Sequence, residues 1–315
     1  MTTSPSDKTV PSAFIWRRLH SLTGVWLAVY LIIHLFTNSQ AALWIGSDGT
    51  GFIHAVNGIH ELPYLFAIEL AILGVPILIH LLWGIQYLRG ATYSSFGQKG
   101  FTPYLPEYPR NRAYTWQRIT SYLLMIGIVA HVIHMRVIEY PLHAQVESLH
   151  FYTVRITADE GLYTLAPRIG ATIYDQSKID MMKKELQKAA AEVPIKNPID
   201  IQIRQQSKKW LTALEKRPLK ANEVIAEANN FGTVELLMVR DTFKMPLMLV
   251  LYTLFVLSAC FHAFNGLWTA MISWGITLTP RSQWLMRRLT NGLMFIVAAL
   301  GLAVIWLTYW VNLKY

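Results

Sequence analysis

The chain has 315 residues, 53% of them hydrophobic and only 15% charged, with a formal net charge of +9 and one cysteine. A single cysteine excludes an internal disulfide, a C-x-x-C-H haem attachment and a cysteine-ligated iron–sulfur cluster. The apolar fraction is that of a membrane protein, and the basic residues cluster beside apolar runs, so the charge reads as membrane topology and gives no support to a nucleic-acid partner.

Five runs are long enough to cross a hydrocarbon core, which takes roughly 20 residues: 20–38, 63–88, 117–138, 246–272 and 289–311. The expected fold class is an all-α membrane protein, five transmembrane helices forming a bundle. Residues 1–140 hold the first three spans, 141–244 form an outer helical insertion, and 245–315 hold the last two. Residues 1–14 are polar and the first run is too long for a signal-peptide core, so no cleaved signal is expected.

The first run carries His34, with His20 and Ser21 at its start. The connection 39–62 contains no Lys or Arg and brings His54, His60 and Glu61 into loop. The second run contains Glu69, His80 and Gly84; the third Gly127, His131 and His134; the fourth Cys260, His262 and Gly266. Between the third and fourth, Pro141 and Pro246 bracket a long insertion in which IDMMKKELQKAAAEV, KKWLTALEK and NEVIAEANN read as helices. His143 and His150 lie in it and read as solvated.

Basic residues set the orientation. Lys8, Arg17 and Arg18 precede the first run; Arg89, Lys99, Arg110, Arg112 and Arg118 lie between the second and third; Arg281, Arg287 and Arg288 follow the fourth. The N-terminus is therefore expected in the cytoplasm and the C-terminus outside, in a bacterial cytoplasmic membrane. The insertion falls outside despite 15 Lys and Arg against 13 acidic residues, because long loops cross largely regardless of charge.

Topology gives each histidine a depth. His34 lies about 21 Å beyond His20 along a helix rising about 1.5 Å per residue, in the outer half, and His131 shortly before Arg136 is outer too. His80 and His262, on spans running inward, share the inner half. A histidine in hydrocarbon is costly and marks a functional group by default. Four, one per helix and matched in level, predict two b-type haems, each gripped by two imidazoles: His34 with His131 outside, His80 with His262 inside. Two axial imidazoles leave no open position, which favours electron transfer over oxygen chemistry. His134, one turn past His131, is the rival outer ligand. Gly84, Gly127 and Gly266 each lie four residues from a proposed ligand; they read either as room for a flat macrocycle or as helix packing.

Glu69 is the one acidic residue within these runs. It precedes His80 by about three turns, so it faces the same interior roughly 16 Å further out, where a carboxyl can carry a proton to a quinone; the other reading is a neutral Glu bonded to a neighbouring helix. Glu61 and His60 are the alternatives as proton donors.

The segments RRLHSLTGVWLAVYLIIHLFTN, ELPYLFAIELAILGVPILIHLLWG, WQRITSYLLMIGIVAHVIHMR and FHAFNGLWTAMISWGITLTPRSQ resemble the dihaem cytochrome b membrane anchors of bacterial succinate:menaquinone oxidoreductases and fumarate reductases, the single-subunit b558 type. The resemblance covers about 200 residues and implies the same ligands, His34, His80, His131 and His262. It implies a flavoprotein (FAD) and an iron–sulfur partner on the cytoplasmic face, menaquinone or another quinone as acceptor near the outer haem, and no dicarboxylate site on this chain. By the same resemblance His20 and Ser21 fall where related anchors contact inner-haem propionates, and Arg17, Arg18, Arg118 and Arg281 are further propionate partners by charge. The insertion departs from the family, whose third and fourth helices are joined by a much shorter connection. Two other readings stay open: the b-type anchor of a formate dehydrogenase or hydrogenase, and a haem-free proton-coupled transporter, whose inverted-repeat signature is not seen.

Overall fold

A computed structural model of the chain describes residues 10–42, 47–90, 105, 107–146, 149–192, 198–216 and 219–311. Lys8 and Lys99 lie outside the described residues. Five helices are long and apolar enough to cross a membrane: α1 (Ser12–Ser39), α3 (Leu65–Gly90), α4 (Pro109–Ile138), α9 (Pro246–Ser273) and α10 (Pro280–Val311). A shorter α2 (Thr50–His60) follows α1. The expectation of loop across 39–62 is corrected there: His54 and His60 sit on a helix, whose apolar face buries Phe52 and Ile53.

The helices α1, α4 and α10 begin eight or nine residues before their apolar runs. Each early stretch is rich in Arg, Trp and Tyr, such as Trp16-Arg17-Arg18. Their long amphipathic side chains keep a polar head in the interface while the stem covers apolar surface, so helix continues past the hydrocarbon boundary.

The helix α3 is interrupted by a π segment at Leu70–Gly74, immediately after Glu69. Pro76 follows it and has no N–H, which deprives the carbonyl of Ile72 of its α-helical donor. The Trp26 indole of α1 donates to that carbonyl at 2.6 Å. A second π segment, His134–Ile138, closes α4.

The described residues divide into two compact units. The first comprises Met1–Leu35, Tyr64–Gly127 and Phe255–Ala299, and among the described residues its regular structure is helical. Its helices meet at small residues: a Cβ on Gly127 would stand 2.5 Å from the Phe255 ring, and one on Gly24 2.8 Å from the His80 ring.

The second comprises Phe36–Pro63, Ile128–Leu254 and Leu300–Tyr315. Here the insertion has two of its expected helices, α6 (Gln176–Glu192) and α7 (Pro198–Glu215), and two that the sequence reading did not name, α5 (Glu160–Arg168) and α8 (Phe231–Thr242). It also has a four-stranded antiparallel sheet that the sequence reading lacked. The strands are β1 (Leu142–Val146), β2 (Leu149–Thr157), β3 (Thr172–Tyr174) and β4 (Glu223–Ala228), in the order β1-β2-β4-β3. NEVIAEANN is thus largely strand: Val224, Ala226 and Ala228 are buried in mid-sheet, and burial in a pleated surface overrides helix propensity. Ile225 joins Ile179, Leu211 and Leu214 in a core beneath α6 and α7.

The nearly fully buried α8 packs on α2. A Cβ on Gly232 would stand 2.5 Å from the Ile53 carbonyl, and Asn57 accepts from the Gly232 N–H at 2.7 Å while donating to Asn230, which caps α8 through Thr233. Arg240, 1% exposed, donates twice to Asp159, at 2.7 and 2.9 Å, and lies 4.8 Å over the Tyr309 ring. Lys244 also contacts Asp159.

Candidate functional site: the intramembrane histidines

In the first unit, α3 and α9 bring His80 and His262 together, with ring centroids 6.3 Å apart and planes at 80°. An ion midway between two imidazole nitrogens, about 2 Å from each, sets ring centroids roughly 6 Å apart. The centroid distance of the sequence-predicted inner pair is compatible with that spacing.

Their remaining nitrogens are held. His80 Nδ1–H donates to the His20 carbonyl at 3.1 Å, and His20 Nδ1–H donates to the His80 carbonyl at the same distance. A carbonyl only accepts, so His80 carries its proton on Nδ1 and presents a lone pair at Nε2. His262 Nδ1 lies 3.4 Å from the hydroxyl of buried Thr120, and the Gln117 amide donates to the His262 carbonyl at 3.1 Å. Asn265 of the FNGLW segment donates to Gln117 at 2.7 Å. An oxygen on the second nitrogen of an imidazole fixes tautomer and ring plane, which metal-binding histidines need. The glycines divide: Gly84 and Gly266 keep ordinary van der Waals clearance from His20 and Gln117, whereas Gly127 is filled tightly by Phe255.

Each outer candidate has a Tyr hydroxyl near its Nδ1. His34 stacks on Tyr30, whose hydroxyl lies 3.4 Å from His34 Nδ1. In the second unit, Tyr252 places one hydroxyl 3.3 Å from His131 Nδ1 and 3.2 Å from His134 Nδ1. The expected outer pair is divided between the units, His34 in the first and His131 in the second.

The proposed propionate residues have other work in this structure. His20 stacks on His80 at 4.0 Å, Ser21 accepts from the Trp274 indole at 3.0 Å, and Arg18 donates to the Ser273 carbonyl and lies over Phe14 and Trp274. Arg118 lies over Tyr114. Two residues that the sequence reading missed stand out instead. The indole nitrogens of Trp83, three residues after His80, and Trp268, six after His262, are buried without a hydrogen-bond partner. A buried N–H left unpaired costs about 1–3 kcal/mol, and a membrane interior supplies no water to satisfy it. Two orphan donors one to two turns beyond the two imidazoles, toward the same ends of α3 and α9, suit a group with an acidic edge. Neutral imidazole nitrogens suit iron. These residues together fit a b-type haem.

Glu69 ends the first turns of α3 at the π segment, partly exposed, and Glu61 is an exposed residue closing α2. His60 stacks on Phe231 at 4.0 Å with nearly parallel planes. Among the described residues no group of three or more His, Cys, Asp or Glu converges as a metal site. Sequence reading also missed Glu235 of α8: burial pushes its carboxyl up to about 7 despite the opposing charge of Arg136, and its Oε2 has no hydrogen-bond partner.

The fold defines a helical membrane protein with five spans, two of which bring His80 and His262 together. The chain is similar to the succinate dehydrogenase cytochrome b558 subunit of Bacillus subtilis (strain 168), 25% identical over 293 residues that cover 93% of this chain and 95% of the relative. The match thus spans nearly the whole chain. No protein-family model matches, and no solved structure matches significantly.

Proposed function

We propose that this protein is the cytochrome b membrane anchor of a succinate dehydrogenase or fumarate reductase complex, holding two b haems and reducing a quinone, menaquinone in the first instance. The observation that carries the reading is the inner pair, two intramembrane imidazoles at a centroid distance compatible with ligation, whose Nδ1 atoms are both held by oxygens. The similarity to a cytochrome b558 subunit supports the choice of complex.

In this reading His80 and His262 hold the inner haem and His34 and His131 the outer one, through Nε2 in each case. Trp83 and Trp268 donate to the acidic edge of the inner group. Bound there, the haems supply one-electron transfer between a cytoplasmic iron–sulfur partner, itself fed by a flavoprotein, and the quinone. The protein's own contribution is to fix imidazole tautomers, exclude water and deliver protons at the outer side, with Glu69 first and Glu61 or His60 next. The chain sits in a bacterial cytoplasmic membrane with its N-terminus in the cytoplasm.

The test is haem reduction by succinate in membranes containing the intact complex. Two low-spin b-type components reduced by succinate, with flavin and iron–sulfur subunits co-purifying, is the expected result. Reduction by formate or hydrogen but not succinate would reassign the complex, and a purified chain with no haem spectrum would return it to the transporter class.

A further inference from the structure

The antiparallel pairing of β1 and β2 sets His143 opposite Tyr152 and Gln145 opposite His150. Side chains two apart on a strand share a face, so His143 and His150 are diagonal neighbours on one face of the sheet. Their rings are nearly parallel, 14° apart, and His143 Nε2 lies 2.9 Å from His150 Nδ1. Both are exposed. On the other side of Tyr152, whose ring is 5.0 Å from His143, stands His60, 5.6 Å away edge-on. Burial and the charge of Glu61 both raise the Tyr152 hydroxyl. Imidazoles, phenol and carboxylate thus gather at one accessible place in the second unit.

Two exposed imidazoles whose nitrogens face each other can share one proton or share a metal ion. At 2.9 Å the two nitrogens are in hydrogen-bond contact, close enough for one ion to bind both with metal–nitrogen bonds of about 2.0–2.1 Å. Copper(II) binds nitrogen donors most tightly among the divalent first-row ions. The hydrogen-bonded ladder of the sheet holds the two Cα atoms in place, so chelation requires only rotation of the exposed rings.

We propose that His143 and His150 form a surface chelate for a divalent transition-metal ion, copper(II) in preference to zinc, with water completing the coordination.

The experiment is copper(II) titration of the purified full-length protein, followed by calorimetry and by electron paramagnetic resonance. The expected result is one copper ion per chain with hyperfine structure from two nitrogens, its affinity falling about tenfold or more, 1.4 kcal/mol, in His143→Ala and in His150→Ala. His54→Ala leaves it unchanged. The melting temperature of each variant is measured alongside to show that the fold persists. Equal copper binding by the double variant, or a signal from a single nitrogen, would overturn the proposal.

Discussion

His20 and His80 exchange hydrogen bonds, each donating from Nδ1 to the other's backbone carbonyl at 3.1 Å. The exchange ties α1 to α3 at the level of the proposed inner ligand and fixes which nitrogen of His80 can bind a metal.

Replacing His80 or His262 by Ala should remove the inner haem and leave the outer spectral component. Reduced-minus-oxidised spectra of purified variants measure this. Gly24→Leu should mimic the loss, because its side chain would enter the space of the His80 ring. Full haem content in His80→Ala would defeat the assignment.

His131 and His134 share the Tyr252 hydroxyl, so geometry alone leaves both in contention. Depth and family resemblance favour His131. His134→Ala should keep both haems, His131→Ala should lose one, and Tyr252→Phe should keep both while shifting the outer potential. Redox titration separates these outcomes, and the reverse pattern moves the ligand to His134.

Trp83→Phe and Trp268→Phe discriminate by sign. If the indoles donate to an acidic group of the bound haem, their removal lowers inner-haem retention during detergent purification. If the donors stay orphaned in the assembled protein, removing them costs nothing and raises stability by about 1 kcal/mol or more. Haem content and melting temperature, read together, decide.

Burial pushes the Asp159 carboxyl up, but the hydrogen bonds and charges of Arg240 and Lys244 outweigh it and hold it at about 2, below the ordinary 3.8. A folded value below the unfolded one stabilises fully above about pH 4, and that contribution is lost as the pH falls toward 2. Asp159→Asn should cost about 3–5 kcal/mol at neutral pH, because it leaves a buried guanidinium uncompensated. Hydrogen exchange in α8 tracks both effects.

Glu69→Gln should leave haem reduction by succinate intact while slowing quinone reduction severalfold. Moving one charge across the full membrane involves about 2.3 kcal/mol per 100 mV, so an outer proton donor would couple the rate to voltage, and an uncoupler should change the wild-type rate. Unchanged quinone reductase activity in the variant passes the role to Glu61 or His60.

The five spans and their interior histidines were legible because hydrocarbon imposes a simple rule: about 20 apolar residues per crossing, and a polar side chain only where something needs it. The residues that hold the ligands were less visible. Thr120, Gln117 and Tyr252 carry no signal on their own, since any helix tolerates them, and only packing sets them against His262, His131 and His134. In the insertion, the β-branched and aromatic run Phe151–Tyr152–Thr153–Val154 was a readable strand signal, but the Glu- and Ala-rich β4 reads locally as helix.

The sequence by itself therefore determined the five spans and set an expected level for each histidine, because length and helical rise convert spacing into depth. Only the tertiary structure decided the rest: the reciprocal lock of His20 on His80, the orphan indoles of Trp83 and Trp268, and the meeting of His143 with His150. Those depend on strand register and helix rotation, which long-range packing sets and no local pattern encodes.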